Sequence, residues 1–190
     1  MPSPIGHYII GLCIYALINK NLNFRKNWKE MLLYIFMANL PDLDALPQFF
    51  GVSIPFVVHR EIFHSIGFAV VVAALLAIFI SIAAVPSRNY APKFMILFML
   101  VFSHPLVDLF TVDHNPPPGA LILWPVSAAH YISPWRPLPG VHHMSFRELF
   151  SPVNIPAYLI ELEIFSILFV LVYLYLVFVL QPEIAGKKRH

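Results

Sequence analysis

Nine histidines stand beside ten carboxylates in a chain of 190 residues that is 59% hydrophobic and only 12% charged. Several of these groups fall at spacings that suit metal chemistry. His104 and Asp108 are four apart, so a helix through both would stack them on one face. Asp42 and Asp44 follow Pro41 where an apolar run breaks, and an irregular turn there could aim both carboxylates at one point. His59 and His64 straddle the start of another apolar run, with Arg60 and Glu61 between them and Ser65 placed to hold the turn. Nitrogen and oxygen ligands without cysteine suit zinc, iron, manganese or nickel. Two carboxylates beside several histidines can hold one or two divalent ions, which generate a hydroxide and clamp a transferring phosphoryl group. Arg60 is suited to a phosphate or carboxylate, which its planar fork can meet bidentately.

Each feature alone has a plainer reading. A single His-x-x-x-Asp pair is more often a structural hydrogen bond, and Pro-Asp-x-Asp is commonly a helix end with its carboxylates in water. His7 alone reads as an interfacial residue. Glu161 and Glu163, two apart, do not share a helix face. What favours a metal site is the placing of all these groups together, and that depends on the elements that carry them.

Mean hydropathy is +0.74, and soluble domains carry about twice this share of charge. The composition therefore points to one membrane-embedded domain over 1–190. Formal net charge is only +2 and dispersed, so no nucleic-acid partner is expected. Cys13 is the single cysteine and sits in an apolar run, which excludes a disulfide framework. Five apolar segments are legible: 5–18, 31–50, 62–85, 94–110 and 155–180. A spanning helix needs about 20 apolar residues, so the third and fifth qualify most clearly. The expected fold is all-α, a multi-pass transmembrane bundle of about five helices. The N-terminal run has no basic flank or small-residue cleavage site, which argues against a cleaved signal. The 111–154 connection holds eight of the eighteen prolines yet is apolar and aromatic in places, and reads as a folded cap.

If all five segments span, Lys20, Arg25, Lys26, Lys29, Arg88, Lys93, Lys187, Lys188 and Arg189 share one side. The positive-inside rule makes that side cytoplasmic, with the C-terminus there and the N-terminus outside. The same parity gathers His7, Asp42, Asp44, His59, His64, His104 and Asp108 at the outer mouth. His114, His130, His142 and His143 fall in the cap on that side, and only His190 lies opposite.

The ordered set of His7, Leu40-Pro41-Asp42-Leu43-Asp44, the 59–65 motif, Ser103 to Thr111, Gly119 and Leu123-Trp124-Pro125 resembles the family of membrane-bound metal-dependent hydrolases, also described as LexA-regulated inner-membrane hydrolases. The likeness covers about residues 5 to 125. It implies a multi-pass membrane hydrolase in the cell membrane with His7, Asp42, His59, His64, His104 and Asp108 as metal ligands. Asp44 would be a further ligand or the general base, and Arg60 would steady an anionic substrate. Glu61 and Phe63 depart from the small residue and threonine expected in that motif, and Glu61 could add a carboxylate. The order of ligands is also distantly similar to zinc-dependent phospholipase C and single-strand nucleases. The implied cofactor is one or two divalent ions, zinc ahead of manganese or iron. The expected activity is hydrolysis of an ester or phosphoester by metal-activated water, with membrane lipids as partners and a lipid-linked substrate. The rival readings are a metal-binding membrane transporter and a structural protein stapled by its metal.

Overall fold

The computed structural model describes residues 3–20, 26–52, 54, 58–83, 90–113, 118–142 and 145–180. Every regular element among them is helical. In chain order these are α1 (Pro4–Asn19), α2 (Trp28–Ala38), a 3-10 segment (Leu40–Ala45) running into the single turn α3 (Leu46–Phe49), and a 3-10 turn (Ile62–His64). Then come α4 (Ile66–Ala83), α5 (Tyr90–Asp108), the turn α6 (Phe146–Leu149), a 3-10 turn (Pro152–Asn154) and α7 (Ile155–Tyr175), which winds on as a π-helix over Leu176–Leu180.

Small residues set how closely the helices pack. Ala69, Ala73 and Ala77 are fully buried at helical spacing, as small residues are at helix contacts in membranes, and α4 packs along α5. On α1, a Cβ added to Gly11 would stand 2.9 Å from Ile35 Cα, so only glycine lets α2 come this near. Tyr15 and Tyr34 meet edge to face, their ring centroids 5.4 Å apart, inside the cluster shared with Met37 and Leu97. The far side of α1 packs on α7, where Glu161 accepts from Ser3 N at 2.7 Å and Ser3 Oγ at 2.5 Å. A carboxylate from another helix thus satisfies a donor at the start of α1, which Pro4 opens without needing its own N–H.

Two helices, α5 and the 152–180 stretch, are long and apolar enough to cross a membrane, while 4–19 and 66–82 are shorter apolar helices. Their outward faces are greasy: Val71, Leu75, Phe79 and Ile82 on α4, and Leu159, Ile167, Leu171 and Phe178 at the chain's last helical stretch, all lie exposed. Such a continuous apolar surface suits hydrocarbon rather than water. The 31–50 segment is not one span. At about 1.5 Å per residue α2 reaches only about 16 Å, roughly half the hydrocarbon thickness. Pro41 and the two aspartates then turn the chain into the 3-10 segment. Pro105 lies inside α5, which runs through it to Asp108.

The proline-rich connection is folded. Isolated bridges pair Thr111 with Leu138 and Ala120 with Tyr131, and Ala120, Leu121, Ile122, Leu138 and Val141 are buried. Its carbonyls also finish α4: Ile66 N donates to Ile122 O and Gly67 N to Trp124 O, both at 2.9 Å. The fit leaves no room for a side chain at Gly67, whose added Cβ would lie 2.8 Å from Trp124 O. At the other end Asn154 donates to His142 O and Glu148 O and accepts from His142 N, tying 142–148 to the start of α7.

Candidate metal centre

Four elements bring their histidines and aspartates to one end of the bundle. His7 sits in the first turn of α1, and Asp42 and Asp44 in the segment after α2. His64 lies just before α4, and His104 and Asp108 in the last turns of α5. Ser65 makes the entry into α4: its hydroxyl donates to Ile62 O at 2.6 Å and accepts from Phe68 N at 3.1 Å. That is N-cap chemistry, and it fixes where His64 points.

The three imidazole Nε2 atoms converge on two carboxylates. His104 Nε2 is 3.1 Å from Asp42 Oδ1 and 3.8 Å from Asp108 Oδ2. His64 Nε2 is 3.5 Å from Asp42 Oδ1 and 3.3 Å from Asp108 Oδ2, and His7 Nε2 is 3.6 Å from Asp108 Oδ1. Ligand atoms about 2.0–2.1 Å from a tetrahedral ion lie about 3.3 Å from one another. The observed separations bracket that value. His7 stacks on His104 with ring centroids 3.6 Å apart, so both rings present the same edge.

Most of these atoms lack hydrogen-bond partners although they are buried. Both nitrogens of His7, Nε2 of His64, both oxygens of Asp108 and Asp42 Oδ2 are in this state. A buried polar group without a partner is costly, and so many at one point mark a place shaped for a cation. The donor set fits a zinc-like ion. His104 supplies a further sign: its Nδ1 faces Ala38 O at 2.9 Å, which fixes that nitrogen as the donor and frees Nε2 to ligate.

The chain's own matches agree with a membrane setting. Residues 1–184 match the YdjM inner membrane protein family. The chain belongs to that family. It is also 35% identical over 144 residues to inner membrane protein YbcI of Escherichia coli (strain K12), covering 72% of this chain and 75% of that protein. No solved structure matches. The YdjM-family chain is therefore a protein of the cell membrane.

Within this YdjM-family chain the two aspartates of the 40–45 segment do not meet at one point, as their spacing suggests. They face opposite nitrogens of His64: Asp44 Oδ2 is 3.2 Å from Nδ1, while Asp42 is on the Nε2 side. Asp44 Oδ1 also takes His59 Nδ1 at 2.6 Å, a hydrogen-bond distance and too short for two ligands of one ion. His59 and Asp44 thus stand behind His64, although Asp42, Asp44, His59 and His64 have ligand atoms within 4.8 Å of one another. The electrostatics follow the same layout. Burial works against charge on Asp42, yet His104 and His64 hold its carboxyl well below the usual range. Burial likewise opposes charge on Asp44, and His64 and His59 hold it low. Three carboxylates, Asp42, Asp44 and Asp108, thus stand around His64 and favour a positive charge there.

Arg60 does not point to open solvent. It lies buried in the left-handed backbone region with Nη1 on Asp113, whose Oδ2 also accepts from Gly119 N at 3.0 Å. Arg60 Nε and Nη2 have no partner. Glu61 adds no carboxylate to the centre and instead meets His130 Nε2 at 3.2 Å. His142 bonds Asn154 through its backbone and leaves its side chain exposed, and His114, His143 and His190 lie outside the described residues. Of the partners the sequence reading missed, Asp113 is an aspartate shortly after the His-x-x-x-Asp pair, and Ser3-Pro4 is a helix-start signature. The carbonyl of Ala38 left no signal at all, because every residue has one.

Proposed function

We propose that this protein is a membrane-embedded metal-dependent hydrolase acting on an ester or phosphoester. The observation that carries the reading is the group of buried, unpartnered nitrogen and oxygen atoms at coordination spacing, drawn from four elements. From among His7, Asp42, His64, His104 and Asp108, a subset such as His64, His104 and Asp108 would hold a divalent ion, zinc ahead of manganese or iron, and leave a position open for water. Bound there, the ion would lower the pKa of a water and offset charge on a phosphoryl oxygen. The protein's own groups do the rest. Asp44 orients His64 from behind, with His59 bracing it, so its role is positioning rather than direct ligation. Asp42 Oδ2, without a partner, can accept a hydrogen bond from the attacking water and orient it. Arg60, buried with Nε and Nη2 unpartnered, would contribute its positive charge to holding an anionic substrate.

The centre belongs to the non-cytoplasmic face in this reading. Lys20, Lys26, Lys29 and Lys93 cluster at the opposite ends of α1, α2 and α5, as positive-inside orientation requires. α4 carries no charged residue and α7 none after Glu163, which favours a site at one end over a transport path.

The test is elemental analysis of detergent-purified protein beside a His64→Ala/Asp108→Ala double variant, followed by phosphoester hydrolysis with metal added and removed. One equivalent of metal, lost in a folded variant together with turnover, is expected. Wild-type protein that neither carries nor takes up a divalent ion would overturn the reading. Metal bound without any turnover, and unfolding on its removal, would make the centre a structural staple instead.

A further inference from the structure

The metal centre is closed on nearly every side. The side chains of His7, His64 and His104 are wholly buried and that of Asp108 is 1% exposed, whereas Asp42 keeps 16%. Anything that reaches the centre through the described residues comes in past Asp42.

A cavity of about 630 Å³ ends there. It lies between α1, α2 and the 40–46 stretch, and its walls are apolar: Leu32, Ile35, Phe36, Leu43 and Leu46. Several of these side chains, with Tyr8, also show on the outside of the bundle, so the groove opens sideways along the helices rather than into the cap. Polar groups gather at one end. Asn39 and Asp42 line the groove, and each has a buried oxygen, Asn39 Oδ1 and Asp42 Oδ2, without a hydrogen-bond partner. The volume is in the range of small-molecule sites, which are mostly apolar with a few convergent polar groups.

We propose that this groove takes an acyl chain of a bilayer phospholipid, and that the phosphoester of the same lipid comes to rest at the Asp42 end, over the metal centre. The inference builds on the proposed hydrolase and names its substrate class. Three features select this occupant. The walls offer apolar contact and no charge until Asp42, which matches a hydrocarbon chain ending in a polar head. The groove opens on the same outer surface as the apolar faces of the helices, where lipid chains are available without crossing water. The centre at its end offers a cation site to the phosphate oxygens. A water-soluble phosphoester would gain nothing from the walls.

The experiment places the full-length protein, loaded with zinc, in nanodiscs containing a phosphatidylglycerol with a diazirine at the end of one acyl chain. Photolabelled residues are mapped by mass spectrometry, and zinc content is measured on the same sample. Labels concentrated on Leu32, Phe36, Leu43 and Leu46 are expected. Filling the groove with Leu32→Trp should reduce them severalfold at unchanged zinc content. Leu46→Trp, on the same groove, gives a second filling variant should the first fail to fold, and Leu75→Trp on the lipid face of α4 should change nothing. Labels spread evenly over the exposed faces of α4 and α7, with zinc bound, would overturn the groove while leaving the metal centre standing. Groove labelling in protein that binds no zinc would support the lipid site and overturn the hydrolase instead.

Discussion

Asp44→Asn separates a positioning carboxylate from a ligand. The side chain keeps its size, so packing is preserved, but one oxygen becomes an NH₂ group. In the native site both oxygens face histidine Nδ1 atoms, His59 at 2.6 Å and His64 at 3.2 Å. An amide accepts from only one of them and presents donors to the other, leaving one imidazole without its acceptor. Removing such an outer partner of a metal-binding histidine weakens metal affinity about 10- to 100-fold. That is about 1.4 to 2.7 kcal/mol. The assay is a zinc titration of metal-stripped protein in detergent against a competing chelator, with thermal unfolding followed in parallel. The variant should still bind one ion, with Kd raised by one to two decades, whereas Asp42→Asn and Asp108→Asn should lose far more. An unchanged Kd would mean that Asp44 does not orient His64. Complete loss of the ion in a folded Asp44→Asn protein would make Asp44 a direct ligand and refute the assignment of layers around His64.

Further expectations follow from other contacts. Arg60→Ala should destabilise the connection after α5, because the Asp113 carboxylate would stay buried without the opposite charge of Arg60; breaking such a pair costs about 3–5 kcal/mol, and protease sensitivity within 111–142 would report it. Normal stability in that variant would show the pair to be dispensable. Glu161→Ala should cost about 1–3 kcal/mol by orphaning Ser3 N and Oγ, and should lower Tm whether or not zinc is present. Gly67→Val should push the 122–125 stretch off the start of α4 and appear as lost amide protection at Ile66 and Gly67. Zinc at about 100 times its Kd should add about 2.7 kcal/mol of stability, and chelation should remove it; a Tm insensitive to both would contradict a buried ion site.

Composition and spacing carried much of this protein. The long apolar runs announced helices in a membrane, because only a helix satisfies its own backbone in hydrocarbon. The residue types at His7, Asp42, His64, His104 and Asp108 suit a hard or borderline cation, and i,i+4 spacing on α5 was enough to put His104 and Asp108 together. Helical ends were partly legible: Ser65 acts as a cap, and Pro41 stands at the start of the 3-10 segment that follows α2. The extent of the second segment was not legible. Apolar content alone does not distinguish a span from an 11-residue helix followed by a 3-10 turn, since the difference lies in backbone hydrogen bonds that Pro41 and its neighbours redirect.

The layering of the site belongs to the tertiary structure alone. Sequence makes Asp42 and Asp44 look equivalent, two carboxylates two residues apart. The 3-10 turn sends them to opposite nitrogens of one imidazole, so one faces the cation site and the other braces it. Arg60 and Glu61 are neighbours of a ligand in sequence, yet long-range partners decide what they do, Asp113 for one and His130 for the other. Residue type determines which interactions a side chain can make. Which of them it does make depends on what distant chain segments bring within about 3 Å, and local sequence does not encode that.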